Sequence, residues 1–463
     1  MSAFFLSPCG GRARWAAFVA IATVWFAASG EAVAQTITPE ILIGDAVSNA
    51  GDPKYSDVEK AISLYLKNDP ISARALLESA RRKDEKLPPV DMMMAKLYLM
   101  TNQTASYLIS LEQVLREEPG DPEPYLLLAD QAISSNQAVQ ASALYDKAIA
   151  LLEQYDKNGR RKQRFIERAY SGRATVYQRW GNWAAAEADL RSLIEADPEE
   201  AQAYSRLGVV LFQLGKETEG YNAFVKAQEL NKDMPSPYVA AAQMYQQLKD
   251  KDPQAVDKAR QAYERAYSSD AGVKDRLTII AYSEWLIRQN QLDEATKILA
   301  EGAKIHPQVF EIALLQGVAA EMLDKPEEAE AHYNRALALS PGNRDATNQL
   351  ALLLINQEGE QAKSRAESLA RINAKLFDQN PDVHITLAWI LRELDKGAEA
   401  NQAYQKGVRL GQLSGDSTLL VAKLLKTQGQ DETARKILTN ALESEKGIFV
   451  NRDEAEAFLQ TLK

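Results

Sequence analysis

Apolar and small residues recur along this chain on a helical spacing, and the same ladder returns about every 34 residues. It is clearest over 204–232, where Leu207-Gly208 is followed at fixed offsets by Gly220, Phe224 and Ala227. The preceding block gives Ala174, Tyr177, Gly181, Ala186, Leu190, Leu193 and Pro198, and a later one gives Gly317, Ala329, Tyr333, Ala336 and Pro341. Charged residues such as Glu187, Glu328 and Glu330 fall between the apolar positions, as on the solvated face of an amphipathic helix. The spacing predicts two antiparallel helices per period. Small residues let two backbones approach, and Tyr, Phe or Leu fills the space between neighbouring hairpins. Pro198, Pro307, Pro341 and Pro381 fall where the second helix of a unit must stop. Gly181, Gly215 and Gly429 fall at the turn inside a unit, which calls for a left-handed residue.

Eleven such units are expected over 56–448. Each hairpin alone exposes an apolar face on both sides, and stacking covers it, so the pattern predicts one extended array rather than separate globular cores. A flexible lead-in is expected over 35–55, with a short helix near 39–47, and a capping helix is expected over 449–463. Residues 154–167 interrupt the period and are rich in base (Lys157, Arg160, Arg161, Lys162, Arg164). Two readings stand for this insertion: a helix extension with solvated charges, or a dock for an acidic partner or a membrane surface.

The run Leu207-Gly208, Leu211, Gly215, Gly220, Phe224, Ala227, and the run Gly317, Ala329, Tyr333, Ala336, Pro341, resemble the tetratricopeptide repeat family. The resemblance covers roughly 56–445. It departs at Tyr107, where a small residue is usual, and in the ninth unit, whose spacing is shifted near Gly359. It implies an all-α fold, a right-handed superhelical solenoid of antiparallel helical hairpins, whose concave groove binds peptides or other proteins. It also implies a mostly non-catalytic chain. Some family members grip chaperone tails with Lys, Arg and Asn in the groove. The corresponding positions here include Ser171, Thr175, Ser205, Val209, Asn348 and Leu352, so that clamp is not expected.

The concave wall of such an array is lined by first helices, where apolar residues are not needed for the fold. Units eight to ten supply Leu314, Val318, Leu352, Ile355, Ile385 and Trp389 there, with Trp389 as the expected anchor of a protein or peptide partner. Units four to six supply mainly polar residues, including Arg179, with Phe212 as the exception. The alternative is that tight winding buries the apolar set against itself.

Composition narrows the function. The chain has 463 residues and a net charge of −10, which disfavours nucleic acid as a partner. Arg12 and Arg14 precede an apolar run over 15–28, and Ala32-Val33-Ala34 then offers small residues before Gln35. This is the pattern of a secretory signal peptide over 1–34, cleaved after Ala34, and it predicts a periplasmic or secreted protein. Membrane contact is expected only through a partner or an uncleaved signal. The single cysteine, Cys9, falls inside that signal, so neither disulfides nor thiolate chemistry are expected afterwards. The three histidines, His306, His332 and His384, lie in different units without metal-ligand spacing. The sequence has no H-E-x-x-H, G-x-S-x-G or phosphate-loop pattern, so neither a metal, a cofactor nor an enzyme is expected. What remains is an interaction scaffold of the cell envelope that organises a secretion, polysaccharide-export or outer-membrane assembly complex; the alternatives are a periplasmic adaptor that captures one peptide or substrate, and an enzyme that uses carboxylates in the groove.

Overall fold

The chain turns back on itself wherever one residue takes a left-handed backbone. The sequence points to Gly181, Gly215 and Gly429 for this, and they adopt φ of 70°, 75° and 72°. Asn68, Asn102, Asn136, Asn290, Asp324 and Asp395 do the same at φ of 55–64°. Asn and Asp tolerate this conformation better than other L-residues, so six turns are built without glycine. The computed structural model describes residues 37–269, 275–444 and 447–462. These residues form 24 helices and no strand. The predicted signal over 1–34 lies outside them.

The chain divides into two units, ending at Met234 and beginning at Pro235. Unit 1 starts with the short helix α1 (Pro39–Ile43), a 3-10 turn (Pro53–Tyr55) and five hairpins. These are α2–α3 (Ser56–Leu66, Pro70–Lys83), α4–α5 (Val90–Met100, Thr104–Glu117), α6–α7 (Glu123–Ser134, Ala138–Leu152), α8–α9 (Gly159–Trp180, Trp183–Ala196) and α10–α11 (Ala201–Gln213, Glu217–Leu230). Unit 2 holds six more: α12–α13 (Pro237–Leu248, Ala255–Ser268), α14–α15 (Arg276–Arg288, Leu292–Ile305), α16–α17 (Phe310–Met322, Pro326–Leu339), α18–α19 (Arg344–Ile355, Glu360–Leu376), α20–α21 (Pro381–Glu393, Gly397–Leu410) and α22–α23 (Gly415–Thr427, Asp431–Glu443). The helix α24 (Arg452–Thr461) closes the chain.

Within each unit the ladder residues are the core. Ala174, Ala186, Leu190 and Leu207 share one cluster in unit 1. Tyr333, Ala329 and Leu350 are fully buried in unit 2, and Tyr263 stacks on Tyr282 with ring centroids 5.5 Å apart. The small positions are where helices come closest. A Cβ added to Gly317 would stand 2.5 Å from the Tyr333 ring, so α16 and α17 approach only because that side chain is missing. First helices of successive hairpins also touch one another, as α6 with α8 and α18 with α20, and so line one face of each unit.

The lead-in is packed rather than flexible. Leu42 and Ile43 of α1 are fully buried, and Ile37, Ala46, Val47 and Ala50 join the same cluster as Val58, Leu77 and Leu97. Its polarity hides this in the sequence, because only seven of its residues are apolar and buried and they follow no long period.

Candidate functional site

In unit 1 the face made by first helices carries the N-terminal segment 37–50, and polar contacts hold that segment in place. Lys96 on α4 donates from Nζ to the Leu42 carbonyl at 3.3 Å and pairs with Asp45 at 3.6 Å. Asn158, the N-cap of α8, accepts from the Arg160 and Arg161 amides and donates from Nδ2 to the Ala46 carbonyl at 3.0 Å. Arg161 is buried, with ion pairs to Asp45 (3.4 Å), Asp121 (3.2 Å) and Glu123 (2.5 Å). Burial pushes the Glu123 carboxyl up, but Lys96 and Arg161 overcome that and hold it below the usual carboxylate range. The basic insertion therefore splits. Arg160 and Arg164 face solvent on an extended α8, while Arg161 docks an acidic segment of its own chain.

Beside this segment lies a cavity of about 640 Å³ whose wall includes Glu40, Asp45, Arg164, Arg168, Ser171 and Arg206. Most of its cations are neutralised. Arg168 pairs with Asp130, and Arg164 with Glu167 at 3.4 Å. Arg206 on α10 differs. Its Nη1 donates to Ser171 Oγ at 2.8 Å, and its Nη2 donates to the Ser171 carbonyl (3.1 Å), Thr175 Oγ1 (2.9 Å) and Gln178 Oε1 (2.9 Å). All four acceptors are neutral. Among the described residues no carboxylate lies within ion-pair distance of it, and Asp189, the acid whose charge reaches it, is gripped by Arg173 at 2.7 Å. Burial pushes the Arg206 guanidinium down to about 10, against the pull of Asp189. A half-buried cation in a cavity wall, served only by neutral dipoles, is an expensive arrangement, and an anion entering the cavity would relieve it.

Sequence reasoning missed Arg206. Its chemical signal is present, since Ser171 and Thr175 stand at groove positions. What the sequence alone does not show is that these residues and Gln178, 28 to 35 positions earlier, are the acceptors of a cation on α10.

The expected apolar wall is present in unit 2 but largely covered. Ile385 is fully buried, and Leu352, Ile355 and Val318 are buried, while Leu314 and Trp389 are half-buried. Trp389 packs against two core clusters, with Lys423 Nζ 5.2 Å above its ring. Ile448 and Val450 pack on the first of those clusters and Phe449 on the second. In unit 1, Phe212 is buried against Phe224 (ring centroids 5.7 Å), and Arg179 is exposed on α8. The six apolar residues expected on the wall in unit 2 are thus not left as one open surface. His384 is a core histidine whose Nε2 lies 2.8 Å from the Asp378 carbonyl oxygen. No group of three or more His, Cys, Asp or Glu among the described residues is placed to hold a metal. No described helix is long and apolar enough to cross a membrane.

Stacked helical hairpins with a groove along their first helices define a class of protein–protein interaction scaffolds. The tetratricopeptide repeat family model matches residues 172–230 and 286–344, and the chain is a tetratricopeptide repeat protein. A search of the curated proteins finds no match. Among solved structures the chain is similar to YrrB, a tetratricopeptide repeat protein with an unusual peptide-binding site, at 19% identity over 52% of this chain and 96% of that one, with a TM-score of 0.25. It is similar to yeast Tom70 at 12% identity over 88% of this chain and 95% of that one, TM-score 0.39. It is also similar to the human IFIT1 dimer with m7Gppp-AAAA, at 14% identity over 93% and 96% of the two chains, TM-score 0.39.

Proposed function

We propose that this chain is a non-catalytic scaffold of the cell envelope, exported after loss of 1–34 to the periplasm or beyond. In this reading it organises a secretion, polysaccharide-export or outer-membrane assembly complex by holding a partner's acidic peptide segment in the unit 1 cavity. The observation that carries the binding chemistry is Arg206, a half-buried cation in the cavity wall with neutral acceptors only. Its planar guanidinium is fixed by Ser171, Thr175 and Gln178, so little freedom is lost when a carboxylate arrives. The rim sets the ligand's character. Glu40 and Glu200 also line the cavity and would repel a polyanion, yet they accept hydrogen bonds from peptide amides. A chain with one acidic group among neutral residues fits this wall. The export reading rests on the basic, apolar and small-residue pattern of the N-terminus.

Capture from envelope extracts by the mature chain, beside its Arg206→Met variant, tests the reading. Several components retained by the wild type and lost by the variant support a scaffold, whereas one such component supports a single-peptide adaptor. Identical retention by both proteins, or recovery of the chain from the cytoplasmic fraction with its N-terminus intact, overturns the proposal.

A further inference from the structure

The connection before α24 is longer than the fold requires. In unit 2 the links from α15 to α16, α17 to α18, α19 to α20 and α21 to α22 are four residues each, spanning 306–309, 340–343, 377–380 and 411–414. The link from α23 to α24, 444–451, is eight. The extra length is used on the face made by first helices. Successive side chains of 448–450 alternate between two clusters. Ile448 and Val450 meet the cluster that contains Val318, Leu354 and Ile390, and Phe449 meets the cluster that contains Leu352, Ile385 and Leu419. Phe449 sits where Gly415 has no side chain, since a Cβ there would stand 2.5 Å from its ring.

Main-chain recognition completes the seat. Asp416, at the start of α22, accepts from the Val450 amide at 3.1 Å, the Asn451 amide at 2.8 Å and Asn451 Nδ2 at 2.9 Å. Asn451 is the N-cap of α24, so Asp416 also closes that helix end; a groove carboxylate that reads backbone N–H groups, flanked by apolar pockets for alternating side chains, is in addition the chemistry of peptide capture. Ile448, Phe449 and Val450 remain only half-buried, whereas Ile385 and Leu419 beneath them are fully covered or nearly so.

We infer that 448–451 is a built-in ligand of unit 2, and that the face beneath it takes an extended apolar partner segment of the same type, three alternating apolar residues followed by Asn, when 448–451 leaves. The apparent affinity for such a segment is then the intrinsic affinity scaled by the fraction of chains in which the internal segment is away. This site is apolar and lies in unit 2, so it stands or falls independently of the acidic-peptide site at Arg206.

The test uses the full chain and a fluorescein-labelled peptide with the sequence of residues 447–453. In the variant Ile448→Asp/Val450→Asp the internal segment loses its apolar anchors while the wall keeps all of its own residues. The expected result is at least tenfold tighter peptide binding by this variant than by the wild type, and loss of that binding when Asp416→Ala is added. Equal binding by variant and wild type, or none by either, overturns the inference. Should the variant lose its helical circular dichroism, hydrogen exchange on the wild type decides. Val450 and Asn451 amides are expected to exchange well before those of α22. Exchange of both only with global unfolding would show a permanent piece of core and overturn the inference.

Discussion

Adding one methyl group at Gly317 tests the packing on which both units are built. Gly317 lies inside α16, where replacement by Ala ordinarily stabilises a helix by about 0.5–1 kcal/mol. Here the new Cβ would stand 2.5 Å from Cδ1 and Cε1 of Tyr333 and 3.1 Å from its Cγ, about 1 Å inside ordinary carbon contact. The ring has no room to retreat. Tyr333 is fully buried, and its hydroxyl donates to Glu321 Oε2 at 2.6 Å. Overpacking of this kind costs about 1–3 kcal/mol, and dragging the hydroxyl off its acceptor adds about 1–2 kcal/mol. The net expectation is a loss of about 1–4 kcal/mol after the helix-propensity gain is subtracted. Gly397→Ala is the control, because nothing lies within 4 Å of a Cβ at that position, the first of α21. Urea unfolding followed by circular dichroism compares the two variants. If Gly317→Ala is as stable as the control or more so, helices α16 and α17 are not in the close contact described.

Three further outcomes are expected. Without ligand, Arg206→Met raises stability by about 1 kcal/mol, because desolvation pushes the guanidinium down to about 10 and solvent screening and the neutral hydrogen bonds offset part of that cost. A loss of more than about 2 kcal/mol in denaturant would make Arg206 a structural strut instead. Burial, with Asp416 nearby, pushes the Glu321 carboxyl up to about 7 from 4.5 despite the Tyr333 hydrogen bond, so its protonated form is the favoured one in the fold. Its contribution is complete below pH 4.5 and fades as pH rises through 7. Wild type should therefore lose up to about 3 kcal/mol against Glu321→Gln between pH 5 and 8.5 in thermal melts, and parallel pH profiles would refute this. Trp389→Ala should cost about 2–3 kcal/mol, since the ring is half-buried between two clusters; an unchanged melting temperature would return Trp389 to the role of a surface anchor.

The hairpin ladder was legible because it is local and repeated. Tyr333, Ala336 and Gly317 occupy the same offsets as Phe224, Ala227 and Gly208, and all are buried or in close helix contact. The asparagine turns were not, because Asn68 or Asn290 reads as an ordinary polar loop residue until its backbone angle is seen. Arg161 and Arg206 were opaque for a different reason. Each looks like a surface base among its neighbours, and burial comes from elements far off in sequence, 116 residues away for the pairing of Arg161 with Asp45. The apolar residues Leu352, Ile385 and Trp389 were legible as apolar. Whether they stay open was not, because that depends on where 448–450 comes to rest.

The central claim is that the unit 1 cavity reads a carboxylate on a peptide through Arg206. Fluorescence anisotropy with extended heptapeptides carrying one central Glu, set against the same peptides with Gln, measures it directly. Binding at least tenfold tighter for Glu, about 1.4 kcal/mol, and loss of that preference in Arg206→Met are expected. Equal affinity for the Glu and Gln peptides, or a preference that survives Arg206→Met, would contradict it.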